Sequence, residues 1–170
     1  MFSKKMEKAI NKQINAEIYS SYLYLSMCAY FEAISLNGLA NWMRQQTQEE
    51  MFHAMKMYDY VNARGGRVIL QAIAQPPSDW TSTADVFENV RTHEQKVTGL
   101  INDLVNLALD ERDHATNIFL QWFVSEQVEE EAAAGAIVDK LKLIKDDANG
   151  LFMLDRELGL RQFTWPVGKE

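Results

Sequence analysis

Apolar residues recur at heptad spacing along four long stretches of this chain, and each stripe is interrupted near its middle by a residue of metal-ligand type. The first stripe runs Ile10, Ile14, Glu17, Ser21, Tyr24, Cys28, Phe31. The second runs Leu39, Met43, Gln46, Glu50, His53, Met57, Tyr60. The third runs Phe87, Val90, Glu94, Val97, Ile101, Leu104, Ala108, and the fourth Leu120, Phe123, Gln127, Glu130, Ala134, Ile137, Leu141, Ile144. Such spacing predicts amphipathic helices packed through their stripes. A carboxylate on the buried face of a helix is costly unless it is paired or holds a metal. One such residue would be noise. Four helices that each bring a carboxylate to mid-height point to one shared site for cations.

The stripes and the turn signals between them predict helices over about 3–31, 39–64, 82–109 and 113–145. Ser3 offers an N-cap for the first, and Gly65-Gly66 supplies a glycine for the left-handed position that closes the second. Asn37-Gly38 reads as a turn, and the short connector makes the first two helices antiparallel. The segment 67–82 holds Pro76-Pro77 and Trp80 and has no helical period. A helix of about 28 residues is ~42 Å long, and sixteen extended residues reach ~55 Å. This segment can therefore cross the whole bundle and set the second and third helices parallel. The tight connector that follows makes the fourth helix antiparallel to the third. Its Asp110, Glu111, Asp113 and His114 read as capping or solvated residues. Asn149-Gly150 is read as a break before a short fifth helix over 151–160, with Leu151, Leu154 and Leu158 on one face. Residues 161–170, with Pro166 and Gly168, are read as a loose tail. The expected fold is all-α: a single domain over 1–170, built as a four-helix bundle (about 3–145) with one long crossover and a short C-terminal helix.

Composition narrows the function. A chain of 170 residues suits one domain, and 47% hydrophobic residues supply a sizeable core. The formal net charge of -7, without basic clusters, argues against nucleic acid as a partner and favours cations. Cys28 is the single cysteine, which excludes a disulfide framework or a cysteine-rich metal site within the chain and suits a small buried hydrophobe. No signal-peptide run and no stretch of ~18 apolar residues is present, so no membrane span is expected, and the expected location is the cytoplasm.

Glu50-Met51-Phe52-His53 places a carboxylate and an imidazole one turn apart on one helix face. Alone the motif is weak, but Glu17 and Glu94 occupy similar heights on neighbouring helices. On the fourth helix, Gln127 and Glu130 fall on the apolar stripe, Glu126 and Glu129 flank it, and Glu131 is read as solvated. Glu49 flanks Glu50 in the same manner. The inner set is thus Glu17, Glu50, His53, Glu94, Gln127 and Glu130, and the flanking set Glu49, Glu126 and Glu129. Oxygen-rich and nitrogen-poor, the mixture suits iron or manganese better than structural zinc. Tyr24 and Trp122 lie close by along their helices. Each reads as a core aromatic that can also donate an electron beside an iron–oxygen site.

At these residues the sequence resembles the ferritins, of the non-haem bacterial and archaeal type. The matching stretches are Gln13-Ile14-Asn15-Ala16-Glu17 with Tyr19-Ser20, Gln48-Glu49-Glu50-Met51 with His53, and Phe119-Leu120-Gln121-Trp122 through Ser125-Glu126-Gln127 to Glu129-Glu130-Glu131. Asp155 and Glu157-Leu158 match towards the end. The resemblance implies a ferroxidase that oxidises Fe2+ with O2 at a di-iron centre of Glu17, Glu50, His53, Glu94, Gln127 and Glu130, with Tyr24 beside it. It implies a third iron site at Glu49, Glu126 and Glu129, sharing Glu130, and assembly into a 24-subunit hollow shell that stores ferric mineral. The fourth helix reads Gln127-Val128-Glu129-Glu130 where bacterioferritins repeat Glu-x-x-His. A haem protein of that kind, with Met51 as the candidate ligand, is therefore disfavoured. A DNA-protecting Dps-like mini-ferritin is the other alternative, but its iron site usually lies between subunits.

Overall fold

The computed structural model describes residues 2–165. Five helices follow in order: α1 (Lys4–Ala33), α2 (Asn37–Ala63), α3 (Thr83–Asp110), α4 (His114–Ile144) and α5 (Ala148–Leu158). Pro166 and Gly168 of the expected tail lie outside the described residues. Among the described residues no helix is long and apolar enough to cross a membrane.

Side-chain caps account for four of the five starts. The hydroxyls of Ser3 and Ser82 accept the N–H of Met6 and Asp85, Asp113 accepts that of Thr116, and Asp147 those of Asn149 and Gly150. Asp113 also pairs with Arg64, and Glu111 accepts the Ser3 hydroxyl. Glu111 and Asp113 are thus engaged in pairing and capping, while Asp110 and His114 are exposed.

Helix α2 is the exception. Leu36 gives it no side-chain cap; Asp155 of α5 caps it instead, its Oδ1 accepting the N–H of Gly38 at 2.8 Å and of Leu39 at 3.0 Å. The Asn37-Gly38 pair is therefore the first turn of α2, not a separate turn. Gly38 is small because α5 crosses it: a Cβ there would lie 1.6 Å from the Asp155 carbonyl oxygen. Asn149-Gly150 likewise belongs to the first turn of α5, and the break comes earlier, at Lys145, whose φ is 52°.

Three helix ends share one hydrogen-bond pattern, in which the second residue past the helix cap donates back to the third-last helical carbonyl. The donor–acceptor pairs are Leu36 to Phe31, Gly66 to Val61 and Asp113 to Ala108. The left-handed residue is Gly65 in one case, as expected. In the other two it is Ser35 (φ 63°) and Arg112 (φ 55°).

The crossover runs up the side of α1. Arg67 O accepts from Asn11, Pro77 O from Ser26 and Trp80 O from Tyr30. It thus returns the chain to the end where α2 began, and Trp42 and Phe87, near the starts of α2 and α3, pack with centroids 5.4 Å apart. Helices α2 and α3 are parallel, as the crossover length requires. Ile69, Leu70 and Ile73 on the crossover remain exposed.

The core is divided. One apolar cluster joins Phe31, Leu39, Trp42, Phe87 and Leu141 with Leu154 and Leu158 of α5. The other joins Met6, Ile10, Met57, Ile101, Leu120 and Phe123. Between them lies a layer of buried polar side chains.

The described part of the expected tail departs from expectation. Residues 161–165 are packed onto α2. Arg161 binds Gln46 and Glu49, the N–H of Phe163 donates to Gln45 at 2.8 Å, and Phe163 and Trp165 lie against Phe52. Polar and aromatic partners on α2, invisible to a composition-based reading, hold this segment down.

Candidate metal centre

Each of the four long helices brings ligand-type residues into the polar layer. Glu17 comes from α1, Glu50 and His53 from α2, Glu94 from α3, and Gln127 and Glu130 from α4; all six are at most 5% exposed. The i, i+3 spacing works as expected: His53 Nδ1 lies 3.5 Å from Glu50 Oε2.

Ligand atoms of Glu17, Glu50 and His53 all lie within 4.8 Å of one another, and so do those of His53, Glu126 and Glu130. His53 thus stands between two clusters. Two buried polar atoms of the first cluster, Glu17 Oε2 and His53 Nε2, have no hydrogen-bond partner. Unpartnered polar atoms of this kind are rare in a folded core and mark a place where something else can bind.

The remaining acids are already engaged. Tyr24, fully buried, donates its hydroxyl to Glu94 Oε1, and Gln127 Nε2 donates to Glu94 Oε2 at 3.2 Å. Gln46 Nε2 donates to Glu130 Oε2 at 2.5 Å, and Gln13 Nε2 to Glu17 Oε1 at 2.9 Å. Neither Gln13 nor Gln46 stood out as a site residue in the sequence. The signal was present in their spacing, since each lies one turn before a buried acid on the same helix face. Glu131, expected in solvent, is half-buried and accepts the Thr98 hydroxyl at 2.5 Å.

The flanking acids are more open. Glu49 and Glu126 are half-buried and Glu129 is exposed. Glu49 and Glu129 belong to neither cluster, and Glu49 Oε2 is 2.5 Å from Arg161 Nη2.

Electrostatics describe a site that wants positive charge. Burial raises Glu17 to about 7. It pushes Glu50 and Glu130 well above the carboxylate range, helped in both cases by the charge of Glu94. Burial also raises Glu94, Glu49 and Glu126; the last is pushed further by Glu49 and Glu129. Burial lowers His53 to about 4, which leaves its imidazole neutral and able to offer a lone pair at neutral pH. A divalent cation would replace the protons these acids hold and relieve their mutual repulsion.

The aromatic surroundings are dense. Trp122 lies with its ring centroid 5.4 Å from that of His53, and Lys56 Nζ sits 4.5 Å over the Trp122 ring. His93 packs edge-on against Tyr24 and accepts or donates a 2.7 Å bond with the Ser20 hydroxyl. Cys28 is buried, as expected of a small hydrophobe.

Residues 7–144 match the ferritin-like domain family. A bacterial non-heme ferritin of Bacteroides fragilis is 49% identical over 161 residues, covering 95% of this chain and 100% of that protein. One from Staphylococcus aureus is 39% identical over 163 residues, covering 96% and 98%. Among solved structures, an open-pore ferritin from the hyperthermophilic archaeon Archaeoglobus fulgidus superposes with a TM-score of 0.94 at 58% identity, covering 95% of this chain and 100% of that one. A closed form engineered from the Archaeoglobus ferritin gives 0.95 at 59% identity, covering 96% and 100%.

Proposed function

The chain belongs to the ferritin-like family, and from that premise we propose that it stores iron, oxidising Fe2+ with O2 at the polar layer of its bundle. The observation that carries this reading is the pair of carboxylate–imidazole clusters inside one chain, which share His53 and include two buried polar atoms without hydrogen-bond partners. Iron is here the substrate. Each ferrous ion gives up one electron, and two held side by side supply a pair to one O2 molecule.

The proposed ligands are Glu17, Glu50, His53 and Glu94 with Gln127 and Glu130. His53 offers a neutral nitrogen to one iron, and Glu50, which faces both Glu17 and Glu94 electrostatically, is suited to bridge the pair. Glu17, titrating at about 7, releases its proton as iron binds. Tyr24 orients Glu94 through its hydroxyl and lies close enough to serve as an electron donor. Glu49, Glu126 and Glu129 are the proposed acids of a third, weaker iron site.

Likeness over nearly the whole length of ferritins supports an oligomeric shell, and we propose the 24-subunit form, in the cytoplasm. The chemistry within one chain favours this reading over a Dps-like one. The Gln127-x-x-Glu130 sequence on α4 favours it over a haem-bearing bacterioferritin.

The test is anaerobic Fe2+ titration of the metal-free protein, then mixing with O2 under stopped-flow absorbance. A fast oxidation phase that saturates at two irons per chain is expected. Oxidation no quicker than in buffer would overturn the proposal.

A further inference from the structure

The C-terminal segment 161–165 brings a fixed cation to acids that the reading above assigns to iron. After α5, Asn41 Nδ2 donates to the carbonyls of Leu158, Gly159 and Arg161, which steers the chain back over α2. The Arg161 guanidinium then lies 4.5 Å over the Trp42 ring. One of its nitrogens, Nη2, is 2.5 Å from Glu49 Oε2, and the other, Nη1, donates to Gln46 Oε1. Gln46 is fully buried, and its remaining polar atom, Nε2, donates to Glu130 Oε2. Phe163 and Trp165 anchor the segment on Phe52, with centroids 6.1 and 5.6 Å away.

Two consequences follow from the geometry of a planar fork. First, Arg161 holds Glu49 Oε2, so a metal ion that takes this oxygen as a ligand has to compete with a guanidinium already paired there. Second, Arg161 fixes which end of the Gln46 amide faces inward. With its oxygen taken by Arg161, Gln46 must present N–H to Glu130. The relay Arg161–Gln46–Glu130 therefore links the flanking acids to an acid of the paired site.

We propose that Arg161 is a built-in, displaceable cation: it neutralises Glu49 until a metal ion takes its place, and through Gln46 it positions Glu130. Arg161 and Gln46 are positioning residues in this scheme, since neither carries a free ligand atom aimed at the paired site. The strap makes the third site weaker than its acids alone would be. Filling of that site also frees Gln46 Oε1, so the amide is no longer held to present its N–H to Glu130.

The inference rests on the third-site reading, and the experiment separates the two. Redox-inert Zn2+ is titrated into the full-length assembled protein by calorimetry, with indole fluorescence recorded in parallel. In the unmodified protein, a weak third equivalent is expected with a change in emission as the guanidinium leaves Trp42. Arg161→Gln should tighten that equivalent about tenfold and abolish the emission change, the size following from one charge-assisted hydrogen bond. Arg161→Lys, which keeps the charge but loses the fork, should fall between. Glu49→Gln should remove the third equivalent. Trp165→Ala leaves every acid and Arg161 in place and should tighten the third equivalent by about threefold, because it frees the aromatic anchor; it serves if Arg161→Gln fails to assemble. Loss of the third equivalent in Glu49→Gln with unchanged affinity in the Arg161 and Trp165 variants overturns the strap alone. A third equivalent that survives Glu49→Gln overturns the site reading and the strap together.

Discussion

The polar layer is made of two halves that look alike in sequence and differ in what they leave free. Helices α1 and α2 contribute Glu17 and Glu50-x-x-His53; α3 and α4 contribute Glu94 and Gln127-x-x-Glu130. In the first half, Glu17 Oε2 and His53 Nε2 are buried without partners. In the second, Glu94 accepts from Tyr24 and Gln127, and Glu130 accepts from Gln46. A cation entering the first half meets buried polar atoms without hydrogen-bond partners and displaces the protons of raised acids. One entering the second must share or displace existing hydrogen bonds. The contrast teaches that ligand type alone does not rank two metal positions; the neighbours that satisfy those ligands in the metal-free state do so as well.

If the first half leads, its loss is the largest effect available. Glu50→Ala combined with His53→Ala should slow rapid oxidation by at least ~100-fold and leave the shell assembled. Stopped-flow absorbance and size-exclusion chromatography check this, and rapid oxidation that survives would show the ligands were misassigned.

The next test loosens the second half. Tyr24→Phe removes the hydroxyl that occupies Glu94. Under anaerobic conditions the second Zn2+ should then bind up to about tenfold tighter, with the first barely changed. A weaker second equivalent would mean that Tyr24 helps to hold the metal and does not compete with it.

Both halves should show themselves in the pH dependence of the metal-free protein. Glu17, raised by burial to about 7, holds a proton that the unfolded chain releases near 4.5, so its stability contribution is full below 4.5 and is lost as pH rises through 7. Glu50 and Glu130, raised by burial and by the charge of Glu94, act in the same sense. His53 and His93, both lowered by burial to about 4, act oppositely, but only below about 6.5, where the unfolded imidazole protonates. Above about pH 6.5 the histidines fall silent, and the metal-free protein should lose stability as pH rises through 7, by about 1 kcal/mol per pH unit for Glu17 alone, in chemical denaturation. Zn2+ should flatten that slope, because the metal takes the place of the protons. A slope unchanged by metal would separate the buried protons from the metal site.

The smallest effects ask whether the scaffold causes the contrast. The α1–α2 and α3–α4 turns close with the same hydrogen-bond pattern and a non-glycine residue at positive φ, Ser35 or Arg112. Ser35→Gly and Arg112→Gly should each stabilise by about 0.5 kcal/mol, as relief of the left-handed strain outweighs the added freedom of the unfolded chain. Unequal gains, or a changed order of metal binding, would move the cause from the ligand neighbours to the backbone.

Periodicity made the layer legible before any coordinates. Buried faces of long helices repeat every three or four residues, and Glu17, Glu50, His53, Glu94, Gln127 and Glu130 each interrupt such a face. The crossover was legible through chain length alone, because only an extended segment can return from the far end of a long helix. Residues whose role depends on a partner far along the chain were not legible. Gly38 looked like a turn glycine until α5 was seen to cross it, and Glu131 looked solvated until Thr98 met it. Arg161 looked like part of a loose tail.

The sequence by itself determined four amphipathic helices, their order and direction, and a ring of cation-seeking residues at their centre. These depend on local period, local caps and the reach of a chain, all of which are properties of neighbouring residues. Folding had to set which buried polar atoms stay without partners, that Asp155 caps α2 and that Arg161 sits on Glu49. The two contacts join residues more than a hundred positions apart, and they exist only once packing has brought the two sides within hydrogen-bonding distance.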